Sequence, residues 1–240
     1  MTPVSGFPCA VFLVKKSMSL NRKKIRYLVP EQFREYIQKV RGKSVYHDYY
    51  DKLECIYIHI PKAAGSSVGM ALFGTDKPGH YPIKDFEWEN EKKFNKYYKF
   101  TFVRNPYSRL ESAFFYLKEG GKSDRDKEFS RKFISKYKSF EDFITNGLQE
   151  DSIKNWIHFI PQCDFLINHD GLIDVDFIGK LENIEIDFIE VCEKLNIKRS
   201  LCFENRTKQK KSVLYTKNMK EIVNTIYKND FELLGYEKKI

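Results

Sequence analysis

Several features that would place this chain in a common class are missing from its sequence. Its five cysteines are scattered and include no Cys-x-x-Cys pair, which argues against a zinc site or a dithiol redox motif. Their odd number fits a reducing compartment better than a disulfide framework and predicts a cytoplasmic location. The apolar patch at residues 7–14 is too short to cross a bilayer, and basic residues follow rather than precede it. We therefore expect neither a membrane span nor a cleaved signal.

Internal repeats and linker-like composition are also absent, so nothing divides the chain into several domains. With 240 residues and 42% hydrophobic content, the chain can bury a sizeable core. We predict a single globular domain at residues 54–240, preceded by an arm and a packing helix at residues 1–53. The 20 phenylalanines and 15 tyrosines predict a core rich in aromatic side chains.

Positive charge is in excess, with a formal net charge of +9. Such an excess attracts anions, but it does not distinguish nucleotides from acidic glycans or nucleic acid. The alternative is that the positive charge only keeps the surface soluble. A nucleic-acid-binding protein is one alternative function. It would depend on charge alone, because the sequence has no zinc finger and no RNP-type aromatic motif, and we expect no nucleic-acid partner.

The stretch at residues 54–68 predicts a buried strand, a tight loop and the start of a helix. In that arrangement, free backbone N–H groups and the positive end of the helix dipole point to one place, which suits a phosphate. Lys62 adds a mobile charge, and small residues let an anion approach the backbone. The small residues are Ala63, Ala64 and Gly65, and Ser66 and Ser67 either cap the helix or donate to a phosphate oxygen.

The loop is not a Walker A motif, because its lysine comes first rather than near the end. An ordinary strand-to-helix turn, with a solvated lysine and a serine cap, is the structural alternative. A P-loop-like kinase or nucleotide hydrolase is the alternative enzyme, and it would require a magnesium-binding acid.

A second strand is predicted at residues 98–103, directly before Arg104 and a helix that begins near Pro106. Arg104 therefore lies at the carboxyl end of the strand, where open α/β sheets bind ligands, and Ser112 lies further along the helix. The alternative is an arginine paired with a nearby carboxylate and a serine that the helix merely tolerates.

Weaker patterns predict the remaining elements. They are helices at 30–42, 83–94, 140–148, 152–159, 184–195 and 216–234, a helix or mobile loop at 122–138, and short strands at 165–167 and 175–178. His80 lies in a turn-rich segment after the first predicted loop and helix, where it either reaches a reacting group or packs at the surface.

Three stretches together resemble the carbohydrate sulfotransferases that use 3′-phosphoadenosine 5′-phosphosulfate (PAPS), the group that includes heparan 2-O-sulfotransferases and small bacterial relatives. The stretches are residues 58–67, residues 100–112, and residues 161–166 with 175–179. The resemblance runs from about Cys55 to the C-terminus. It implies a P-loop-like, three-layer α/β fold with a central, mainly parallel sheet flanked by helices.

The resemblance also implies roles for single residues. Lys62, Ala64, Gly65, Ser66 and Ser67 would bind the 5′-phosphosulfate. Arg104 and Ser112 would bind the 3′-phosphate. Gly79-His80 looks like the family's Gly-His pair, which makes His80 the candidate general base, and the lysine-rich loop at 205–212 offers Lys208 to PAPS. The family's glycines and threonine are Ala63, Ala64 and Ser66 here, which are small changes.

The implied reaction is transfer of the sulfuryl group of PAPS to a carbohydrate hydroxyl. Lys62 would neutralise the charge that grows on the bridging oxygen, and His80 would remove the hydroxyl proton. No metal is expected, since lysine, arginine and helix N-terminal amides supply the positive charge. An acidic polysaccharide and an oligosaccharide are the candidate acceptors. If His80 is not the base, Glu87, Asp85, His59 and His158 are next.

Overall fold

A computed structural model describes residues 44–201 and 213–240, together with positions 38, 40 and 42. The predicted N-terminal arm, most of the predicted helix at 30–42 and the predicted lysine-rich loop with Lys208 lie outside these residues. The division of the chain at residue 54 stays a prediction. Val45, Tyr46 and Tyr50, which come before it, are buried against the main core.

The centre of the fold is a parallel sheet, in which the described strands have the order β1-β2-β3. These strands are β1 (Cys55–Ile58), β2 (Tyr98–Val103) and β3 (Phe177–Lys180). Ile58 is paired with Thr101, and Val103 with Lys180. Because the strands are parallel, their carboxyl ends meet at one edge of the sheet, and the chain leaves β1 and β2 at neighbouring points.

Helices connect and surround the strands, which confirms the predicted α/β fold with a parallel sheet flanked by helices. In chain order they are α1 (Asp48–Leu53), α2 (Gly65–Phe73), α3 (Ile83–Glu89), α4 (Glu91–Lys96), α5 (Pro106–Lys118), α6 (Asp124–Phe129), α7 (Phe140–Asn146), α8 (Asp151–Lys154), α9 (Cys163–Leu166), α10 (Ile184–Lys194), α11 (Lys217–Ile226) and α12 (Lys228–Leu233). A π-helical turn, Ser130–Ile134, follows α6, and a 3-10 turn, Leu181–Asn183, precedes α10.

Two hydrophobic clusters hold these elements together. One surrounds the sheet, where every residue of β1 is buried, as expected for a parallel strand covered on both faces. The other joins α5 and α7 to α11 and α12. Aromatic side chains supply much of both clusters, as predicted. The rings of Tyr57 and Phe100 stack 5.1 Å apart in the first cluster, and those of Phe114 and Phe143 lie 4.9 Å apart in the second.

The strand predicted at residues 165–167 is wrong. The chain forms the short helix α9 there, and Ile167 makes only an isolated antiparallel bridge with Ile173. The physical reason is a distant carboxylate. Asp230 accepts hydrogen bonds from the backbone N–H groups of Gln162 and Cys163 and so fixes the first turn of the helix. A short apolar run does not by itself distinguish a strand from a buried helix.

Two predicted long helices are each a pair of shorter ones. The helix at 83–94 is interrupted at Asn90, whose side chain accepts a hydrogen bond from the N–H of Lys93 and begins a new helix. The helix at 216–234 is interrupted at Tyr227. Likewise, only Asp151–Lys154 is helical in the region predicted at 152–159. Within the described ranges, no helix is both long enough and apolar enough to cross a membrane.

Candidate functional site

The loop between β1 and α2 has a strained backbone. Lys62 and Ala64 have φ angles of 68° and 63°, in the left-handed region that costs a residue with a side chain roughly 1–2 kcal/mol. These angles let the chain turn sharply from the end of β1 into the first turn of α2. The residue before the helix, Ala64, caps it with no side-chain hydrogen bond, so the first backbone N–H groups of α2 are left for another acceptor.

Gly65 is required at the start of α2 by the ring of His59. A Cβ atom at position 65 would lie only 1.6 Å from the His59 ring, so no other residue fits without moving the histidine. The predicted small residues of the loop are thus small for two reasons. Gly65 accommodates the His59 ring, and Ala63 is fully buried in the sheet cluster. Ser66 is exposed on the first turn of the helix, and Ser67 is half-buried beside it.

The environment of Lys62 lowers the pKa of its side chain. Its Nζ is 4.1 Å from the centre of the Tyr116 ring. Burial and the repulsion of Arg104 and Lys122 lower the pKa of Lys62 to about 8, against the attraction of Asp126 and Glu119. The lysine is still mainly charged at neutral pH, and it gains by approaching an anion.

Arg104 follows β2 directly and reaches the loop, as its predicted position requires. Its Nη1 donates to the carbonyl of Lys62 at 3.4 Å, and its Nε donates to Ser108 Oγ at 2.9 Å. Ser112 lies one helical turn beyond Ser108 on the same face of α5, half-buried. The sheet therefore brings the arginine together with the Lys62 loop, while Ser112 is the next hydroxyl along the helix.

A second arginine, Arg109, was missed at the sequence level. Its side chain is only 1% exposed, and it donates from Nε to the carbonyl of Pro61 at 3.1 Å and from Nη1 to that of Ile160 at 3.0 Å. Its Nη2 is buried with no hydrogen-bond partner among the described residues. The available signal was its spacing, since Arg109 is four residues before Ala113 in the apolar stripe of α5.

Two histidines are held beside the loop by backbone carbonyls. His59 Nδ1 is 2.9 Å from the carbonyl oxygen of Gly79, and His80 Nδ1 is 3.1 Å from that of His59. A carbonyl oxygen only accepts, so each Nδ1 carries the proton and each Nε2 is a free base. The ring centres are 4.1 Å apart. Burial lowers the pKa of His80 to about 4 and that of His59 well below its usual value.

His158 and Asp126 form a third part of the site. His158 Nε2 is 3.1 Å from Asp126 Oδ1, while Asp126 Oδ2 accepts from Tyr116 and Ser123 at 2.9 and 2.8 Å. Burial would raise the pKa of Asp126, but these bonds together hold it below its usual value. The His158 ring centre is 6.4 Å from that of His80. A row of side chains with polar groups therefore extends from His80 through His158 and Asp126 to Tyr116. Lys62 Nζ lies over the ring of Tyr116.

The other candidates lie elsewhere or are already engaged. Glu87 is buried in α3, where one of its carboxylate oxygens accepts from the backbone N–H of His169 at 2.9 Å. Asp85 is in the first turn of the same helix. The structure thus groups Lys62, Ala64, Gly65, Arg104 and His80 at one edge of the sheet.

A comparison with known protein families gives a match over most of this chain. The sequence model of the Sulfotransferase family (Sulfotransfer_2) matches residues 47–237. The chain belongs to the Sulfotransferase family. Its matched region contains the loop, both arginines and all three histidines described above.

Individual relatives of this sulfotransferase-family chain are distant. It is 30% identical to carbohydrate sulfotransferase 12 of Mus musculus, over 61% of this chain and 42% of that protein. It is 27% identical to carbohydrate sulfotransferase 9 of Homo sapiens, over 65% and 42% respectively. An uncharacterized protein of Archaeoglobus fulgidus is 31% identical over 46% of this chain and 78% of its own length. The chain thus spans less than half of the two carbohydrate sulfotransferases, and no solved structure matches it significantly.

The buried histidines predict a loss of stability in mild acid. The pKa values of His59, His80 and His158 are all lowered, with burial as the largest cause. Below an unfolded pKa of about 6.5, the unfolded chain binds protons that the native chain does not, so the free energy of unfolding falls as pH falls. For His80 this loss continues down to about pH 4. Each such histidine contributes a slope of up to about 1.4 kcal/mol per pH unit.

Urea unfolding at several pH values between 7.5 and 5 measures this slope. His80→Gln removes one of the titrating groups and should make the pH dependence shallower than in the wild type. If the free energy of unfolding stays constant or increases as the pH is lowered from 6.5 to 5, the histidines are not buried in the neutral state.

Proposed function

We propose that this chain transfers the sulfuryl group of PAPS to a hydroxyl of a carbohydrate acceptor and releases 3′-phosphoadenosine 5′-phosphate. The observation that carries the proposal is the position of Arg104, which reaches from the end of β2 to the carbonyl of Lys62 in the loop after β1. The Arg104 guanidinium and the Lys62 ammonium thus lie on adjacent elements. Two such cations suit a ligand that has separate 3′ and 5′ anionic groups.

The loop fits the 5′ end of such a donor. The first N–H groups of α2, the charge of Lys62 and the hydroxyls of Ser66 and Ser67 supply donors for the phosphosulfate, and Ala64 and Gly65 allow a close approach. Arg104 and Ser112 supply the donors for the 3′-phosphate. Lys208 is a further candidate, which stays a prediction from the sequence.

In the proposed reaction, His80 receives the proton of the acceptor hydroxyl. The bond from its Nδ1–H to the His59 carbonyl leaves Nε2 bare, and with a pKa of about 4 the ring is neutral at physiological pH. The negative charge of a bound donor raises the pKa of a nearby histidine and so makes it a better base. The acceptor hydroxyl loses its proton to His80 Nε2 as its oxygen bonds to sulfur, and the sulfur–bridging oxygen bond breaks.

Positive charge at the loop serves the departing group. In the proposed reaction, Lys62 and the helix N-terminal amides stabilise the negative charge that grows on the bridging oxygen, and preorganised donors of this kind are often the largest contribution to catalysis. The acceptor is proposed to be a carbohydrate because relatives are named carbohydrate sulfotransferases. The net charge of +9 favours an acidic one.

Calorimetric titration of 3′-phosphoadenosine 5′-phosphate tests the donor assignment, with 5′-AMP as the comparison ligand. We expect tight binding that requires the 3′-phosphate. Arg104→Ala should weaken it by about 10- to 100-fold, the size of a charge-assisted bond to phosphate, and should change 5′-AMP binding much less. Arg125→Ala is the matched control, because Arg125 is exposed on α6. Equal binding of the two ligands, or magnesium-dependent ATP turnover, would contradict the proposal.

Substitution of His80 tests the base. His80→Ala should lower kcat by about 10²- to 10⁴-fold, because general base catalysis is lost, while 3′-phosphoadenosine 5′-phosphate still binds. Sulfate transfer from PAPS to a panel of oligosaccharides gives kcat. If His80→Ala turns over normally, the base is another group, and Glu87→Gln, Asp85→Asn, His59→Gln and His158→Gln would identify it.

The proton on Lys62 predicts how donor binding depends on pH. Below about pH 8 the lysine is charged and attracts the phosphate, and above that pH it progressively loses its charge. Affinity for 3′-phosphoadenosine 5′-phosphate should therefore be about tenfold lower at one pH unit above the pKa of Lys62 than well below it. Lys62→Arg keeps its charge throughout and should bind equally well from pH 7 to 9. A wild-type affinity that does not change over this range would contradict the assignment.

A further inference from the structure

The backbone of Arg104 is held by the side chain of one distant residue, Gln162. The N–H of Arg104 donates to Gln162 Oε1 at 2.9 Å, and Gln162 Nε2 donates to the carbonyl of Arg104 at 2.7 Å. One amide thus binds both polar backbone groups of the residue that follows β2. Gln162 has no exposed surface, so water does not compete for these bonds.

Asp230, from α12, fixes Gln162 in turn. Its Oδ2 accepts from the backbone N–H of Gln162 at 2.9 Å and from the side-chain Nε2 at 3.4 Å, and its Oδ1 accepts from the N–H of Cys163 at 2.9 Å. Asp230 is also fully buried. The orientation of the Gln162 amide is therefore determined, because the oxygen must face the Arg104 N–H and the nitrogen must face two acceptors.

A buried carboxylate is costly unless its charge is balanced. Arg109 supplies part of the balance, since the Asp230 carboxylate opposes the lowering of the pKa of Arg109 that burial causes. The same arginine binds the carbonyls of Pro61 and Ile160. Gln162 therefore lies in a buried polar network that touches the loop on one side and Arg104 on the other.

Specificity for a 3′-phosphate requires the guanidinium to lie in one place. The side chain of Arg104 starts where β2 ends, and its Nη1 and Nε bonds use two of the five guanidinium N–H donors, which leaves three for a ligand. A rotation of the peptide groups on either side of Arg104 would swing the guanidinium away, and misplacement by about 1 Å is enough to lose a large part of a positioning effect. The two bonds from Gln162 oppose that rotation directly.

We propose that Gln162, held by Asp230, is a positioning residue that sets the preference of this site for a ligand with a 3′-phosphate. The inference rests on the proposed function, since it assumes that Arg104 binds that phosphate. Gln162 itself does not touch the ligand. It acts through the backbone of Arg104, so its loss should affect the 3′-phosphate and leave the 5′ end of the site intact.

Gln162→Glu tests the inference with little change of volume. The glutamate keeps an acceptor for the N–H of Arg104, but it loses both N–H donors and places a carboxylate against the Arg104 carbonyl and Asp230. Affinity for 3′-phosphoadenosine 5′-phosphate should fall by about tenfold, whereas affinity for 5′-AMP should change by less than about twofold. Gln162→Met, which loses both bonds to Arg104, should do at least as much. Gln149→Glu is the matched control, since Gln149 is exposed.

The ratio of the two affinities separates positioning from general damage to the fold. A merely structural role would weaken both ligands alike, and that result, or an unchanged ratio in both variants, would overturn the inference. Urea unfolding identifies a variant that is too unstable, in which case the other variant decides. If the wild type itself fails to prefer the 3′-phosphate, the proposed function is wrong. If the wild type prefers it and Arg104→Ala abolishes the preference while both Gln162 variants keep it, only the inference fails.

Discussion

Two backbone carbonyls from distant parts of the chain, those of Pro61 and Ile160, accept hydrogen bonds from the single guanidinium group of Arg109. A buried cation is tolerable only where its donors are well placed, and here they join the loop after β1 to the segment that precedes α9. That segment carries Gln162, which in turn holds Arg104. The position of the loop and the position of Arg104 are thus set by neighbouring polar contacts, in which Arg109 of α5 is the central residue.

The site is positively charged before any ligand arrives. Lys62 lies near Arg104 and Lys122, and repulsion by these two cations adds to burial in lowering the pKa of Lys62. The nearby histidines are kept neutral by burial and add no charge at physiological pH. A bound anion with two or more negative charges offsets this repulsion among the cations. The relief of repulsion contributes to the free energy of binding.

The sequence was sufficient to predict the parts of the fold that depend on neighbouring residues. The apolar runs of β1 and β2, the small residues of the first loop and the proline at the start of α5 placed Lys62 and Arg104 at one edge of a parallel sheet. Gln162 and Asp230 were not predictable in the same way. They are separated from the residues they bind by 58 and 68 positions, and only the folded chain brings them into contact. The same long-range bond explains why α9 was taken for a strand.

Arg109 was predictable only in part from the sequence. Its spacing in the apolar stripe of α5 was visible in the sequence, but its function required the positions of two carbonyls that local patterns do not give. The fold therefore followed from local chemistry, whereas the support of the site followed from contacts between segments far apart in the chain.

The location of Asp230 in α12 has a consequence for biosynthesis. A nascent chain that has been synthesised only as far as Gln162 already contains the loop and both arginines, but it lacks the carboxylate that orients the Gln162 amide. At about 5–20 residues per second, the 68 residues that separate Gln162 from Asp230 take roughly 3 to 14 seconds to add. During that interval the Gln162 amide and Arg109 have no carboxylate partner from α12, so the orientation of the amide is fixed only after α12 has docked.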